Sequence, residues 1–284
     1  MTRLKYTIFI LLITTLVSPA AIAGPKYASE ESRRVIEAMV EAHGGIDRWR
    51  AVPTIRFTDI MHDEYHERGG WAWWAAHEVI DQKTRRVYQD WPYIDARIGY
   101  DGTDVWSENW QRGNPPALMV HFFYYFVNLP WITQDDGVLL SEPAEFNWPG
   151  IDVPLIEVKM TFENRPAPGK SANGYYVLYI HPETQRLVGY QYANGYRPLL
   201  DAFGFPPEQE LFGPLWRRIT AYEEVGGLLF PTAFHTMPEA GERIVGDHLI
   251  VNIDVSTPFD AAKAQVPEGG VVDEVWAAIA QSEK

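Results

Sequence analysis

The chain contains no cysteine. A disulfide framework, a thiolate nucleophile, a cysteine-ligated metal and a cysteine-borne lipid anchor are all excluded by that absence. Positive charge is scarce as well: 24 Lys and Arg stand against 38 Asp and Glu, a net charge of −14. Phosphate contacts need basic patches and none is visible, so nucleic acid is not an expected partner. Adsorption to an anionic membrane is disfavoured for the same reason. Solubility is the plain reading of the acidity. Ile8 to Val17 is apolar apart from Thr14 and Thr15, and this run is too short to cross a bilayer as a permanent helix.

That short run sits in a recognisable frame. Arg3 and Lys5 precede it, Pro19 breaks it, and Ala21-Ile22-Ala23 supplies the small-x-small pattern of a cleavage site. The layout predicts a secretory signal over 1–23, cleaved near Ala23. The mature chain, 24–284, is then a soluble, released periplasmic protein. Loss of Arg3 and Lys5 takes the net charge from −14 to −16. Without disulfides the core must supply the stability, and a chain of this length can build one.

Signatures of common enzyme classes are missing. No Gly-x-Ser-x-Gly elbow and no phosphate-binding glycine loop occurs. Glu30/Glu31, Asp135/Asp136 and Glu223/Glu224 are adjacent carboxylates; in a strand such neighbours face opposite sides, so they read as surface or capping charge. No cofactor is expected.

Aromatic residues are abundant: 11 Trp, 15 Tyr and 13 Phe. They favour strands and large apolar surfaces. Ser29 caps a helix whose apolar face is Val35, Ile36, Met39 and Val40, and Gly44-Gly45 ends it. Ile46 to Val52 adds a further turn. A run of strands follows: 54–65, 71–81, 86–91, 95–100 and 103–109. After a loop at 111–116, residues 117–128 are apolar all round and predict a buried helix ended by Pro130. Strands resume at 138–142, 155–162, 175–181, 187–192, 216–225, 228–234 and 248–256. Residues 202–214 read as a long loop or lid, and 271–281 as a C-terminal helix. Short turns between successive strands demand antiparallel pairing. The fold class expected is therefore mainly β (α+β): one domain, with a single large, strongly curved antiparallel sheet and helices covering one face.

Three groups of residues invite a functional reading. His62, Glu64 and His66 share a strand face. A four-residue turn at 67–70 would pair Ile60 with His77 and place that imidazole diagonal to His62. This set resembles a zinc donor set, while a solvated strand face is the competing reading and a one-residue slip would remove His77. Trp71 and Trp73 share one strand face, with Trp74 on the other. Phe122, Tyr125 and Phe126, followed by Trp131, form a helix and loop that either thicken a core or cover an apolar ligand cavity. Finally, Arg97 lies between Ala96 and Ile98. If buried it needs acceptors and would latch a helix or loop through backbone carbonyls; surface exposure is the other reading.

Several short motifs, in order, resemble the periplasmic lipoprotein-carrier (LolA/LolB-like) superfamily and its larger relatives. They are Ala42-His43-Gly44-Gly45 with Trp49; Arg97-Ile98-Gly99-Tyr100-Asp101-Gly102-Thr103-Asp104-Val105-Trp106; Leu129-Pro130-Trp131 with Gly137; the hairpin 176–189, where His181 replaces the usual Asp; and Leu228 to Thr232. The resemblance implies an unclosed β-barrel with helices as a lid over an apolar cavity. It further implies a role in carrying acyl chains or lipidated proteins, with a strand arginine, here Arg97, holding the lid.

Residues and resemblance together lead to a non-enzymatic carrier or sensor of a hydrophobic ligand, which is a lipid, an acyl chain or a lipoprotein. Trp71, Trp73, Arg97, Phe122, Tyr125, Phe126 and Trp131 are the expected ligand-binding residues. A transient envelope protein partner is compatible with this. The alternatives are a metal-dependent hydrolase using His62, His66 and His77, or a structural subunit of an envelope complex that docks through the exposed aromatic face.

Overall fold

The computed structural model describes residues 24–64 and 73–282. The expected leader, Trp71, His66 and the turn at 67–70 lie outside the described residues. In chain order the strands are β1 (Lys26–Tyr27), β2 (Thr54–Asp63), β3 (Trp73–Asp81), β4 (Val87–Trp91), β5 (Ala96–Tyr100), β6 (Val105–Glu108), β7 (Val138–Leu140), β8 (Ala144–Phe146), β9 (Leu155–Phe162), β10 (Tyr175–Ile180), β11 (Leu187–Asn194), β12 (Phe212–Val225), β13 (Leu228–Met237), β14 (Gly246–Asp254) and β15 (Val271–Val272). They form one 15-stranded sheet in the order β1-β7-β9-β10-β11-β12-β13-β14-β2-β3-β4-β5-β6-β15, with β8 beside β9. The two ends of that path do not pair, so the sheet is not closed into a barrel. Every pairing is antiparallel except β1 with β7.

Alternation explains how the sheet divides inside from outside. In β2, Ile55, Phe57, Asp59, Met61 and Asp63 are buried while Arg56, Thr58, Ile60 and His62 are not. The inward set faces the helix Phe122–Ile132, in which all residues from Phe123 to Ile132 are buried. This helix fills the concave side of the sheet. Phe126 alone packs against Phe122, Tyr190, Tyr192 and His248 at ring separations of 4.7–5.9 Å.

The helix also runs through Pro130 rather than stopping there. Proline removes one backbone hydrogen bond in a helix. Here Trp131 and Ile132 are fully buried, and Trp131 stacks on Trp49 and packs 5.1 Å from Phe230; that burial offsets the loss. The expected helix over 117–128 is thus split into a turn, Pro116–Met119, and the longer helix.

The amphipathic helix Glu30–Ala42 begins at the Ser29 cap, whose side chain accepts from the Ser32 N–H. Its end is pinned by His43. The Nδ1–H of His43 donates to Leu229 O (2.7 Å), and Nε2 accepts the Leu187 N–H at 3.2 Å. Gly44 follows at φ +103°, where a Cβ would collide with the Gly227 carbonyl oxygen. Helix and sheet meet there backbone to backbone, which only glycine permits. The second helix, Ile46–Ala51, lays Trp49 inside, and its indole N–H donates to Asn128 Oδ1 at 2.8 Å. The C-terminal segment divides into β15 and the helix Glu274–Ser282.

Candidate functional site

One end of the half-barrel is closed by Trp49, Trp131 and Phe230. At the other end, where β2, β11 and β12 run out, an apolar pocket lies between the sheet and a small lid. Leu118 and Phe122 form one wall; Leu199, Phe203 and Phe212 form the lid side; Met61, Leu215, Tyr192 and Arg217 form the floor, with Asp63, Asn114, Asn194 and Thr236 at its margin. The free space is about 30 Å³, room for one or two waters.

The lid is the segment expected to be a loop over 202–214. It starts as a short helix, Arg197–Ala202, and continues as a loop whose aromatic residues cluster: Phe203 lies 5.4 Å from Phe212 and Phe205 lies 6.1 Å from it. Arg197 organises this loop. Its guanidinium donates to the carbonyls of Phe205 (3.0 Å), Pro206 (3.3 Å), Pro207 (3.4 Å) and Gln209 (3.2 Å), and to Asp201 Oδ1 at 2.7 Å. All of these acceptors lie within the lid, so Arg197 gives the lid its shape without tying it to the sheet.

Below the pocket a buried polar chain begins. The Arg217 guanidinium lies 4.1 Å from the Phe126 ring centroid. Its Nη1 donates to His248 Nδ1 at 2.7 Å, which leaves the Nε2–H of His248 to donate to Asp59 Oδ1. Burial pushes His248 well below its ordinary value, so the ring is neutral, and pushes Asp59 well above the usual carboxylate range. Glu78, on the same face of β3, is raised by burial and then by the Asp59 charge; Gln89 Nε2 donates to Glu78 Oε2 at 2.5 Å and to Met119 O at 2.9 Å. From the opposite side of the helix, Lys170 reaches in. Its Nζ donates to Tyr176 Oη at 3.1 Å and sits 4.4 Å from the Tyr125 ring centroid. Burial, with the Arg217 charge second, lowers its pKa to about 7.

The residues singled out from the sequence are distributed unevenly around this site. Phe122 lines the pocket, and Phe126 lies behind it on Arg217. Tyr125 turns to a separate, open cleft of about 280 Å³ beside Arg85 and Asp135. Trp131 is buried at the closed end. Trp73 is 61% exposed and lies on the convex face opposite Trp74, because adjacent residues of β3 point to opposite sides. Arg97 is likewise on the convex side: its side chain is 57% exposed and pairs with Glu108 at 2.5 Å. Neither Trp73 nor Arg97 reaches the interior.

His62 and His77 are not brought together. The register pairs Thr58 with His77 and His62 with Trp73, two residues away from the pairing expected of a four-residue turn. A shift of two preserves the face but leaves His62 and His77 four residues apart along the ladder, about 13 Å at strand rise. His77 Nδ1 instead meets Thr58 Oγ1 at 2.9 Å, and His62 packs 4.9 Å from the Trp73 ring. Among the described residues no group of three or more His, Asp or Glu is placed to hold a metal.

Arg217, Lys170, Arg197 and the lid phenylalanines were not singled out from the sequence. For Arg217 a signal existed. Its neighbours at i±2, Leu215 and Ile219, share its strand face and are apolar, whereas the apolar neighbours of Arg97 are at i±1 and face the other way. No comparable signal marks Lys170, which sits in an irregular segment.

No protein-family model matches the sequence, and no curated protein matches it. Solved structures similar to this chain include a LolA superfamily protein from Nitrosomonas europaea, 8% identical, covering 84% of this chain and 99% of that chain with a TM-score of 0.47. A DUF1329 family protein from Desulfovibrio piger is 12% identical and covers 84% and 98%, also with a TM-score of 0.47. An outer membrane lipoprotein-sorting protein domain from Vibrio parahaemolyticus is 8% identical and covers 82% and 97%, with a TM-score of 0.40. No helix among the described residues is long and apolar enough to cross a membrane.

Proposed function

We propose that the protein is a non-enzymatic periplasmic carrier or sensor that binds a hydrophobic ligand in the pocket beneath the lid 197–212, after removal of the leader 1–23. The observation that carries this reading is the construction of the pocket. Leu118, Phe122, Leu199, Phe203 and Phe212 give it apolar walls, and the lid that supplies the last three is held in shape chiefly by Arg197 and its own carbonyls. At about 30 Å³ the pocket is shut: a ligand of ordinary size needs about 300 Å³ or more. Binding therefore requires the lid to swing away from Phe122. Apolar area that the lid now covers would be covered by the ligand instead, and each buried CH₂ contributes about 0.8 kcal/mol. An alkyl chain of eight carbons thus supplies roughly 6 kcal/mol without any catalytic group. Of the residues expected to bind ligand, Phe122, which lines the pocket, and Phe126, which lies behind it, support this reading.

The test is direct. Delipidated protein is titrated with long-chain alkyl ligands and with a lipopeptide, following tryptophan emission and native mass. A saturable emission shift with a stoichiometric mass increase, weakened by Phe122→Ala, is the expected result. No shift and no retained ligand would overturn the reading.

A further inference from the structure

The polar side of the pocket carries an unspent hydrogen-bonding capacity. Arg217 is 2% exposed, yet among the described residues no carboxylate is hydrogen-bonded to it. Its Nη1 meets a neutral imidazole, its Nη2 meets the Met61 sulfur at 3.4 Å, and its Nε has no partner of good hydrogen-bond geometry among the described residues, the Tyr190 hydroxyl being the side-chain group that acts on it most. A buried guanidinium in such company is costly unless an anion comes to it. Asp63 lies at the pocket margin, and its negative charge acts on Arg217. Lys170, which burial lowers to about 7, is a second buried basic group that also feels Arg217. Burial holds Asp59 and Glu78 toward their protonated forms. Among the described residues that leaves Asp63 as the carboxylate acting on Arg217.

We infer that the ligand of this pocket is a single-chain amphiphile with a carboxylate head, the head meeting Arg217 and the alkyl chain lying between Phe122 and the lid. The inference rests on the pocket reading above. A carboxylate is the compact planar acceptor that matches a guanidinium edge, and charge-assisted bonds of this kind are about twice as strong as neutral ones. The apolar walls contributed by Leu199, Phe203 and Phe212 then take the chain.

Palmitate and hexadecanol, equal in chain length and different in head, separate the two levels of the argument. On delipidated wild-type protein, palmitate is expected to bind at least tenfold more tightly than hexadecanol, and Arg217→Gln to reduce the palmitate affinity to that of the alcohol. Equal binding of both by wild type would overturn the headgroup inference while leaving the apolar site in place; binding of neither would overturn both. Retention of the preference by Arg217→Gln would also overturn the inference. Carboxyl-labelled palmitate on wild-type protein gives a readout independent of any variant. Beside Arg217 its carboxyl should stay ionised to lower pH than free palmitate does, and titration at or above its ordinary value would count against the assignment.

Discussion

The guanidinium of Arg217 lies 4.1 Å from the ring centroid of Phe126, joining the floor of the half-barrel to the helix that fills it. Cation and aromatic face attract each other more strongly where water is excluded. Phe126 thereby serves both the core and the pocket floor, and Phe122, one turn earlier, serves the pocket wall.

Truncation should separate those two roles. Phe126→Ala is expected to cost about 3–5 kcal/mol, since it opens a cavity at a fully packed position and uncovers Arg217. Phe122→Ala, at a half-buried ring, should cost under about 2 kcal/mol while weakening the ligand response. Urea unfolding midpoints of the two variants check the order.

Gly44→Ala tests the close approach of the first helix to the β12–β13 turn. The residue has φ +103° and faces the Gly227 carbonyl, so strain and collision act together. A loss of at least about 2 kcal/mol is expected. Gly204→Ala, with a similar positive φ but nothing within 4 Å of an added Cβ, should lose less, and thermal midpoints of the pair decide it.

The buried imidazoles give stability a pH dependence of known sign. Burial lowers His121 to about 4, from an ordinary 6.5. Between those values the unfolded chain holds a proton that the folded one lacks, so this group's contribution falls as pH drops from 6.5 to 4. His43 is also lowered to about 4 by burial, whereas raised Asp59 and Glu78 act in the opposite sense. The diagnostic is therefore a difference: His121→Gln should flatten the stability-versus-pH curve by roughly 3 kcal/mol across that window. Denaturant titrations at pH 7 and pH 4 measure it.

Arg197→Ala should leave global stability within about 1–2 kcal/mol of wild type, because its bonds are largely exposed and local to the lid. The loop over 203–211 should open more often. Limited proteolysis is expected to nick that loop several-fold faster, and ligand association should accelerate by a similar factor. An unchanged nicking rate would show that Arg197 does not hold the lid.

Much of the architecture was legible in the residues. Turn pairs such as Asp101-Gly102 and Gly226-Gly227 marked hairpins, and period-two alternation marked most strands. The aromatic run at 122–126 announced a buried helix, since it is apolar on every side. The site was less legible. Trp73 is large enough to invite a ligand reading, but its parity in β3 places it outside. The apolar sequence neighbours of Arg97 suggest an interior position, whereas in a strand the residues two positions away share a face. The hairpin register depended on turn length, and a two-residue difference separated His62 from His77.

The sequence by itself determined most of the segments that are strands, the apolar face of each of these, and that one all-apolar helix must be enclosed by them. Those properties are local, set by periods of 2 and 3.6 residues and by turn chemistry. Only the tertiary structure decided that the helix fills the concavity instead of roofing an empty one. It also decided that the remaining pocket lies at one end under 197–212, and that Arg217, His248 and Asp59 meet. These residues stand on three strands, β12, β14 and β2, up to 189 positions apart. Their meeting depends on strand order and register, which single-strand periodicity does not encode.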